Sequence, residues 1–287
     1  MTYLRDEIAS QPDTWSRALD MSVSGLPEPG ERVAVIGCGT SYYMAQAYAA
    51  LREKAALGET DAFPASEFPF GRHYDRVVAL TRSGTTTEVL SVLSQCSIPT
   101  VALTADPATP VSDAADAVIP LDFADEKSVV QTRFATTALV LLRASLGESL
   151  SALPAAARQA LESPLAPELT AAEQVTFLGT GWTIGLANEA ALKLREAAQA
   201  WTESYHAMEY RHGPISIAAP GRAVWVFGEA PDGLAKDVLA TGAHLELFGG
   251  DPLVSLVRAH RLAAEVAQAR GLNPDEPRNL TRSVILT

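Results

Sequence analysis

The chain has 287 residues, 47% of them hydrophobic and 20% charged, a globular composition long enough for one or two domains. Its formal net charge of −12 argues against a non-specific binder of nucleic acid or anionic membrane, so an anionic ligand must be met by local donors. Two cysteines, Cys38 and Cys96, give no disulfide framework, and Met1–Glu7 is too polar and acidic for a signal peptide. No apolar run approaches the roughly 20 residues that span a bilayer. A soluble, cytoplasmic protein is expected.

In chain order, residues 2–22 read as an amphipathic helix pair around Gln11-Pro12, an N-terminal helical arm closed by the turn cluster Gly25–Gly30. Arg32–Gly37 is a short β-branched run, the pattern of a buried parallel strand, and Tyr42–Leu57 is helical. Strands at Asp75–Thr81, Thr100–Thr104 and Ala117–Leu121 follow, with helices at Thr87–Ser94 and Ser128–Leu146. This alternation predicts an α/β fold, a parallel sheet wrapped on both faces. A Pro-containing linker, Ser149–Thr170, holds a short Ala-rich helix, and then the pattern restarts. Strands are expected at Gln174–Gly179, Arg222–Gly228 and His244–Phe248, with a helix at Leu253–Arg270. From Leu186 to His212 there is no Gly or Pro, and the stretch reads as helix. The turns Gly37-Cys38-Gly39-Thr40-Ser41 and Gly179-Thr180-Gly181-Trp182-Thr183 match about half a chain apart, an internal duplication of an α/β unit. The expected organisation is an arm at 1–23, a first domain at 24–150 and a second at 165–287 with the tail.

Three stretches carry candidate chemistry. Glu189, Lys193 and Glu196 fall on one helix face, where an exposed helix also pairs charges without any catalytic purpose. Gly37-x-Gly39 lacks the third glycine of a dinucleotide turn, because Tyr42 stands there. In its place are Thr40 and Ser41 at a helix start, and the second strand ends likewise in Thr81-Arg82-Ser83-Gly84-Thr85-Thr86-Thr87. Helix capping explains one hydroxyl per turn; seven and an arginine over two turns point to a phosphate. Trp182 fills the matching turn of the second half, so that copy is expected to have lost the site. Cys38 fits a small residue in a tight turn better than a nucleophile. His206 and Glu203 read as structural or interface groups. The five histidines show no paired metal-ligand spacing, and neither metal nor other cofactor is expected.

The segments Cys38-Gly39-Thr40-Ser41, Arg82-Ser83-Gly84-Thr85-Thr86, Glu189–Glu196, Arg211-His212-Gly213-Pro214 and Pro277-Arg278-Asn279-Leu280 resemble the sugar isomerase (SIS) domain superfamily. Within it the chain is most similar to the double-SIS isomerase half of glucosamine-6-phosphate synthase and its stand-alone relatives, over nearly its whole length. That resemblance implies two tandem SIS domains of flavodoxin-like, three-layer αβα build, and a homodimer. It implies that Ser41, Ser83 and Thr86 hold a phosphate, with Cys38, Gly39, Thr40, Thr81 and Arg82 beside them. Glu196 would move a proton between C1 and C2 of a sugar, Lys193 would orient hydroxyls and support enediolate charge, and Glu189 would partner Lys193. His212 would open the ring, arriving from the neighbouring subunit. A carboxylate suits a proton α to a carbonyl, and an imidazole donates and accepts near neutral pH.

The sequence departs from the family in places. Arg282 stands where the synthase tail has a lysine, so imine capture of the ketose is not expected. Gln131 replaces a serine in the loop before the long helix, and the span from Gly213 to Leu253 is short. The chain begins Met1-Thr2, without the cysteine nucleophile of a glutaminase half, so synthesis from glutamine is not expected. The favoured activity is metal-independent conversion of glucosamine 6-phosphate to fructose 6-phosphate and ammonia. A fructosamine-6-phosphate deglycase, an aldose–ketose phosphate isomerase and a sugar-phosphate-binding regulator are the alternatives.

Overall fold

Runs of Val, Ala, Ile and Leu without polar alternation suit strands covered on both faces. In the computed structural model, which describes residues 2–286, these runs form two parallel sheets. In chain order the elements are α1 (Tyr3–Ala9), α2 (Gln11–Leu19), β1 (Val33–Gly37), α3 (Thr40–Lys54), β2 (Thr60–Pro64), β3 (Arg76–Leu80), α4 (Thr87–Gln95), β4 (Thr100–Thr104), α5 (Val111–Ala114), β5 (Ala117–Pro120) and α6 (Arg133–Ser145). Then come α7 (Leu153–Glu162), α8 (Pro167–Thr170), β6 (Gln174–Gly179), α9 (Thr183–Ala198), β7 (Trp201–His206), β8 (Arg222–Phe227), α10 (Leu234–Ala240), β9 (His244–Leu247) and α11 (Pro252–Ala269). The chain divides into two compact units. One takes residues 13–127, 131–151 and the tail from Thr281; the other takes the N-terminus through Pro12, residues 128–130 and 152–280.

In the first unit the strand order is β2-β1-β3-β4-β5, all parallel. Ala34, Ile36, Val77, Ala79 and Ala102 point to one face and pack with Val89, Val92 and Leu93 of α4. Their neighbours of opposite parity, Val33, Val35, Val78, Leu80, Val101 and Leu103, are buried too, so the second face is covered as well. On α2, Trp15 is buried and its indole N–H donates to Thr136 Oγ1 of α6 at 3.0 Å.

In the second unit the order is β7-β6-β8-β9, again parallel. Phe177, Trp225 and Phe227 lie with ring centroids 6.1–6.2 Å apart on one face, and Trp225 donates to Ser255 Oγ of α11 at 3.0 Å. Leu178, Val224 and Val226 face the other way, onto Tyr210, Leu234 and Val238. Helix α9 packs against β6 and along α11.

The structure corrects several expectations. The helix expected to run to His212 stops at Ala198, because Gln199 turns left-handed at φ +50° with its N–H on the Arg195 carbonyl. The next residues, Trp-Thr-Glu-Ser-Tyr-His, are rich in strand formers and pair with β6 as the edge strand β7, which carries Glu203 and His206. Strand β2 was not anticipated, since its run Thr-Asp-Ala-Phe-Pro is short and ends in a proline that only an edge strand tolerates. Helix α10 was also not foreseen. The helix expected from Ser128 begins at Arg133, where the Glu126 carboxylate accepts from the Thr132 and Arg133 N–H groups at 2.6 and 2.9 Å.

Near the start of β1, Glu31 accepts from Arg76 Nε and Nη2 at 3.0 and 2.9 Å and from the Glu28 N–H at 2.8 Å. The bonds from Arg76, chiefly, hold the Glu31 carboxyl below the usual carboxylate range. A carboxylate with a lowered folded pKa contributes stability above its unfolded pKa, and loses it as pH falls through the folded value. Arg76→Met should therefore lower the melting temperature at pH 7 by about 2–4 °C, for a loss of about 1 kcal/mol. In thermal scans from pH 7 to pH 3 the gap to the wild type should close below about pH 4.

Candidate active site

The strand order of the first sheet sets where a ligand would sit. β1 and β3 are neighbours, yet their connections lead to opposite sides, one to β2 and one to β4. At such a switch point the loops leaving the carboxyl ends diverge and open a crevice. The loops here are the two hydroxyl-rich turns. A Cβ on Gly37 would lie 2.6 Å from the Ser41 carbonyl carbon, so only glycine lets the chain fold back into α3. Thr40 and Ser41 are the first residues of that 15-residue helix, and both are buried. Gly84 takes φ +63°, and a Cβ there would meet Thr109 Oγ1 at 2.0 Å. Ser83 Oγ accepts from Thr85 Oγ1 at 3.1 Å and from its N–H at 3.3 Å. Thr81, 4% exposed, has a buried Oγ1 with no hydrogen-bond partner among the described residues.

The surroundings of these turns were not legible in the sequence. Arg82 is buried, its guanidinium 3.9 Å from Glu126 and donating to the Arg282 carbonyl at 3.2 Å. The arginine is thus shared between its turn and a carboxylate. Gln131 Oε1 lies 3.5 Å from Ser41 Oγ, which brings that loop to the first turn. Arg282 turns its guanidinium onto the Asp125 carboxylate and the Glu126 carbonyl. Beyond it Ser283 Oγ lies 2.9 Å from Thr85 Oγ1 and 3.5 Å from Thr86 Oγ1, while the Thr87 N–H donates to the Val284 carbonyl at 3.2 Å. The tail therefore lies on the β3–α4 turn. Ser283 joins the hydroxyl cluster from 197 residues away, and only its place beside Arg282 marked it in the sequence.

The second unit carries the candidate proton-transfer groups. On α9, Glu189 and Lys193 are 0% and 1% exposed, so this is not an ordinary solvated charge-paired face. Lys193 Nζ is ion-paired with Glu196 one turn on. Glu196 is partly exposed and opens into a hollow of about 420 Å³ lined by Leu192, Arg195, Gln199, Arg278 and Asn279. Glu189 Oε1 is 3.1 Å from His260 Nε2 of α11, a partner 71 positions away that no local pattern in the sequence marks. His212 stands exposed in a 3-10 turn, Glu209–His212, and among the described residues no hydrogen bond ties it to Glu189, Lys193 or Glu196. In the turn that matches the first one, Gly179 is required because a Cβ would lie 2.3 Å from the Thr183 carbonyl oxygen. Thr183 Oγ1, however, already bonds Thr180 and the Phe227 carbonyl at 2.8–3.0 Å.

No family model matches the chain. It is 27% identical over 98% of its length to a glutamine–fructose-6-phosphate aminotransferase (isomerizing) of Caulobacter vibrioides, and spans 58% of that protein. The chain covers only about half to three fifths of the curated relatives it matches. Among solved structures it is similar to a glucosamine-6-phosphate deaminase of Thermotoga maritima, with a TM-score of 0.83 and 25% identity over 99% of this chain and 100% of that one. The C-terminal domain of a glucosamine-fructose-6-phosphate aminotransferase of Francisella tularensis shares the fold, at a TM-score of 0.80 and 21% identity over 94% and 97% of the two chains. The curated relative and the Thermotoga maritima structure support the sugar isomerase family that the motifs resemble, and the solved structures share an α/β fold of parallel sheets flanked by helices.

Burial, chiefly, raises the Cys38 thiol to a pKa of about 11, with Glu88 adding to it. At pH 8 only about 0.1% of it is thiolate, too little for a nucleophile. Iodoacetamide at pH 8 should leave Cys38 unmodified in the folded protein, by intact mass and peptide mapping, and label it after denaturation.

Proposed function

We propose that the chain is a sugar-phosphate isomerase acting on an amino-sugar phosphate, built as two tandem SIS domains and working as a homodimer. The observation that carries this reading is the buried lysine on α9, ion-paired with a partly exposed carboxylate that opens into a hollow. Binding alone would not require such a pair. The reading assigns phosphate recognition to Ser41, Ser83, Thr86 and the orphan hydroxyl of Thr81, at the switch point of the first sheet. It assigns proton transfer to the second unit.

With glucosamine 6-phosphate as substrate, His212 of a neighbouring subunit opens the ring, exposing an aldehyde at C1. Glu196 removes the C2 proton, and the electron pair moves into an enolamine whose oxygen charge the Lys193 ammonium balances. Returning the proton to C1 leaves an imine at C2. Water adds to it and ammonia departs, giving fructose 6-phosphate. Arg195 and Arg278 beside Glu196 favour one second reading, in which the amine carries an acidic substituent and the reaction is deglycation.

Ammonia release from glucosamine 6-phosphate tests the first reading, with Glu196→Gln expected to lose about 10²–10⁴-fold in kcat. Release that survives in Glu196→Gln would remove the base from this scheme. A wild type that releases nothing, yet melts higher with fructose 6-phosphate, would turn the search to glycated amines and to a purely regulatory role. Thr81→Val removes a buried hydroxyl that has no partner among the described residues, so it should keep or raise the melting temperature. The same change should shrink the further rise that fructose 6-phosphate produces, and an undiminished rise would count Thr81 out of the phosphate site.

A further inference from the structure

The most deeply buried polar cluster of the second unit lies behind the groups just assigned. Gln11, His260 and Glu189 are all 0% exposed. They come from three separate stretches, the first residue of α2, the middle of α11 and the middle of α9. Gln11 Nε2 lies 3.3 Å from the Ile8 carbonyl and 3.3 Å from His260 Nδ1, and His260 Nε2 lies 3.1 Å from Glu189 Oε1.

The order of donors in this line follows from chemistry. An amide nitrogen has two hydrogens and only donates. Reversing the Gln11 amide would set its oxygen against the Ile8 carbonyl, two acceptors facing each other, so its orientation is decided by its neighbour. One Gln11 hydrogen goes to Ile8 and the other to His260 Nδ1. That ring nitrogen must therefore be an unprotonated acceptor, which leaves the proton on Nε2, directed at Glu189. On this assignment the imidazole donates to Glu189 through Nε2–H. Glu189 is in turn one helical turn before Lys193 on the same face of α9.

We propose that His260 is a positioning residue for the proton transfer assigned to α9. Locked by Gln11 as the Nε2–H tautomer, it acts through Glu189, fixing that carboxyl group in one orientation. Glu189 then gives Lys193 a fixed neighbour on the side away from Glu196. The proposal rests on the catalytic reading of Lys193 and Glu196. It differs from a passive core hydrogen bond in that the donor to Glu189 matters more than the volume of the ring.

Two near-isosteric replacements separate these. His260→Gln places an amide nitrogen close to the ring Nε2 position and keeps a donor for Glu189; His260→Asn reaches only the Nδ1 position, serving Gln11 and abandoning Glu189. With ammonia release from glucosamine 6-phosphate as the assay, the Gln variant should keep kcat within about 5-fold and the Asn variant should lose about 10²-fold, with KM within about 3-fold in both. Long-range 1H–15N spectra of histidine-labelled wild type should show a pyridine-type Nδ1 and a pyrrole-type Nε2 for the ring whose signals vanish in His260→Asn. A pyrrole-type Nδ1, or a doubly protonated ring, would overturn the tautomer lock. Turnover that depends on Glu196 but is equal in the two His260 variants would overturn the positioning role alone. No turnover by the wild type, with the ring pattern intact, would sink the catalytic reading and the positioning role with it.

Discussion

A lysine that has lost nearly all contact with water keeps its charge only where carboxylates stand beside it, and Lys193 sets that condition for the second unit. Its ion pair with Glu196 fixes one side, and the face of α9 it shares with Glu189 is closed over by α11. Because α9 is packed along α11, the carboxylate at position 189 is sealed from solvent and must be met by a side chain. His260 meets it, and Gln11 meets His260. A demand that begins with one ammonium group thus reaches through three helices to the N-terminal residues of the chain. The apolar packing of Trp225 and Phe177 on the sheet supplies the rigidity that such a line of donors and acceptors requires.

On the proposed reading, the first unit solves the opposite problem, how a chain of net charge −12 would receive an anion. The means are local: hydroxyls at the starts of α3 and α4, backbone N–H groups of those turns, and one buried arginine. That arginine does not stand ready as a bare cation. Glu126 takes part of its charge and caps α6 through Oε1, with Oε2 accepting from the Phe134 N–H, while the carbonyl of Arg282 accepts from the arginine. The result is a turn held in place before any ligand arrives, with the tail laid over it through Ser283 and Val284.

Much of this was readable beforehand where local pattern and tertiary context agree. The β-branched runs gave strands because a parallel sheet buries both faces of each strand, and the hydroxyl turns stood out because glycine was needed to form them. The pattern failed where the two disagreed. Trp201–His206 has no helix breaker, and what ends α9 is the left-handed turn at Gln199, a conformation that no Gly or Asn announces. Thr60–Pro64 is too short and too polar to read as a strand until β1 is beside it to pair with. In the site, groups close in sequence were legible: Glu189, Lys193 and Glu196 by helical spacing, Thr81 to Thr87 by composition. Groups that act from afar were not, and Glu126, His260 and Ser283 are visible only once the chain has brought them in.

The matched glycine turns of the two halves bear on how such a chain drifts. Gly37 and Gly179 are each imposed by the backbone of the helix that follows, with no ligand involved. A duplicated half that stopped binding would still be held to that glycine by purifying selection on folding. The hydroxyl beyond it is under no such restraint: Thr183 ties its own turn to the end of β8. If the two halves descend from one unit, as the proposed tandem build implies, the glycine would record descent, and the partners of the neighbouring hydroxyl would record which copy retired.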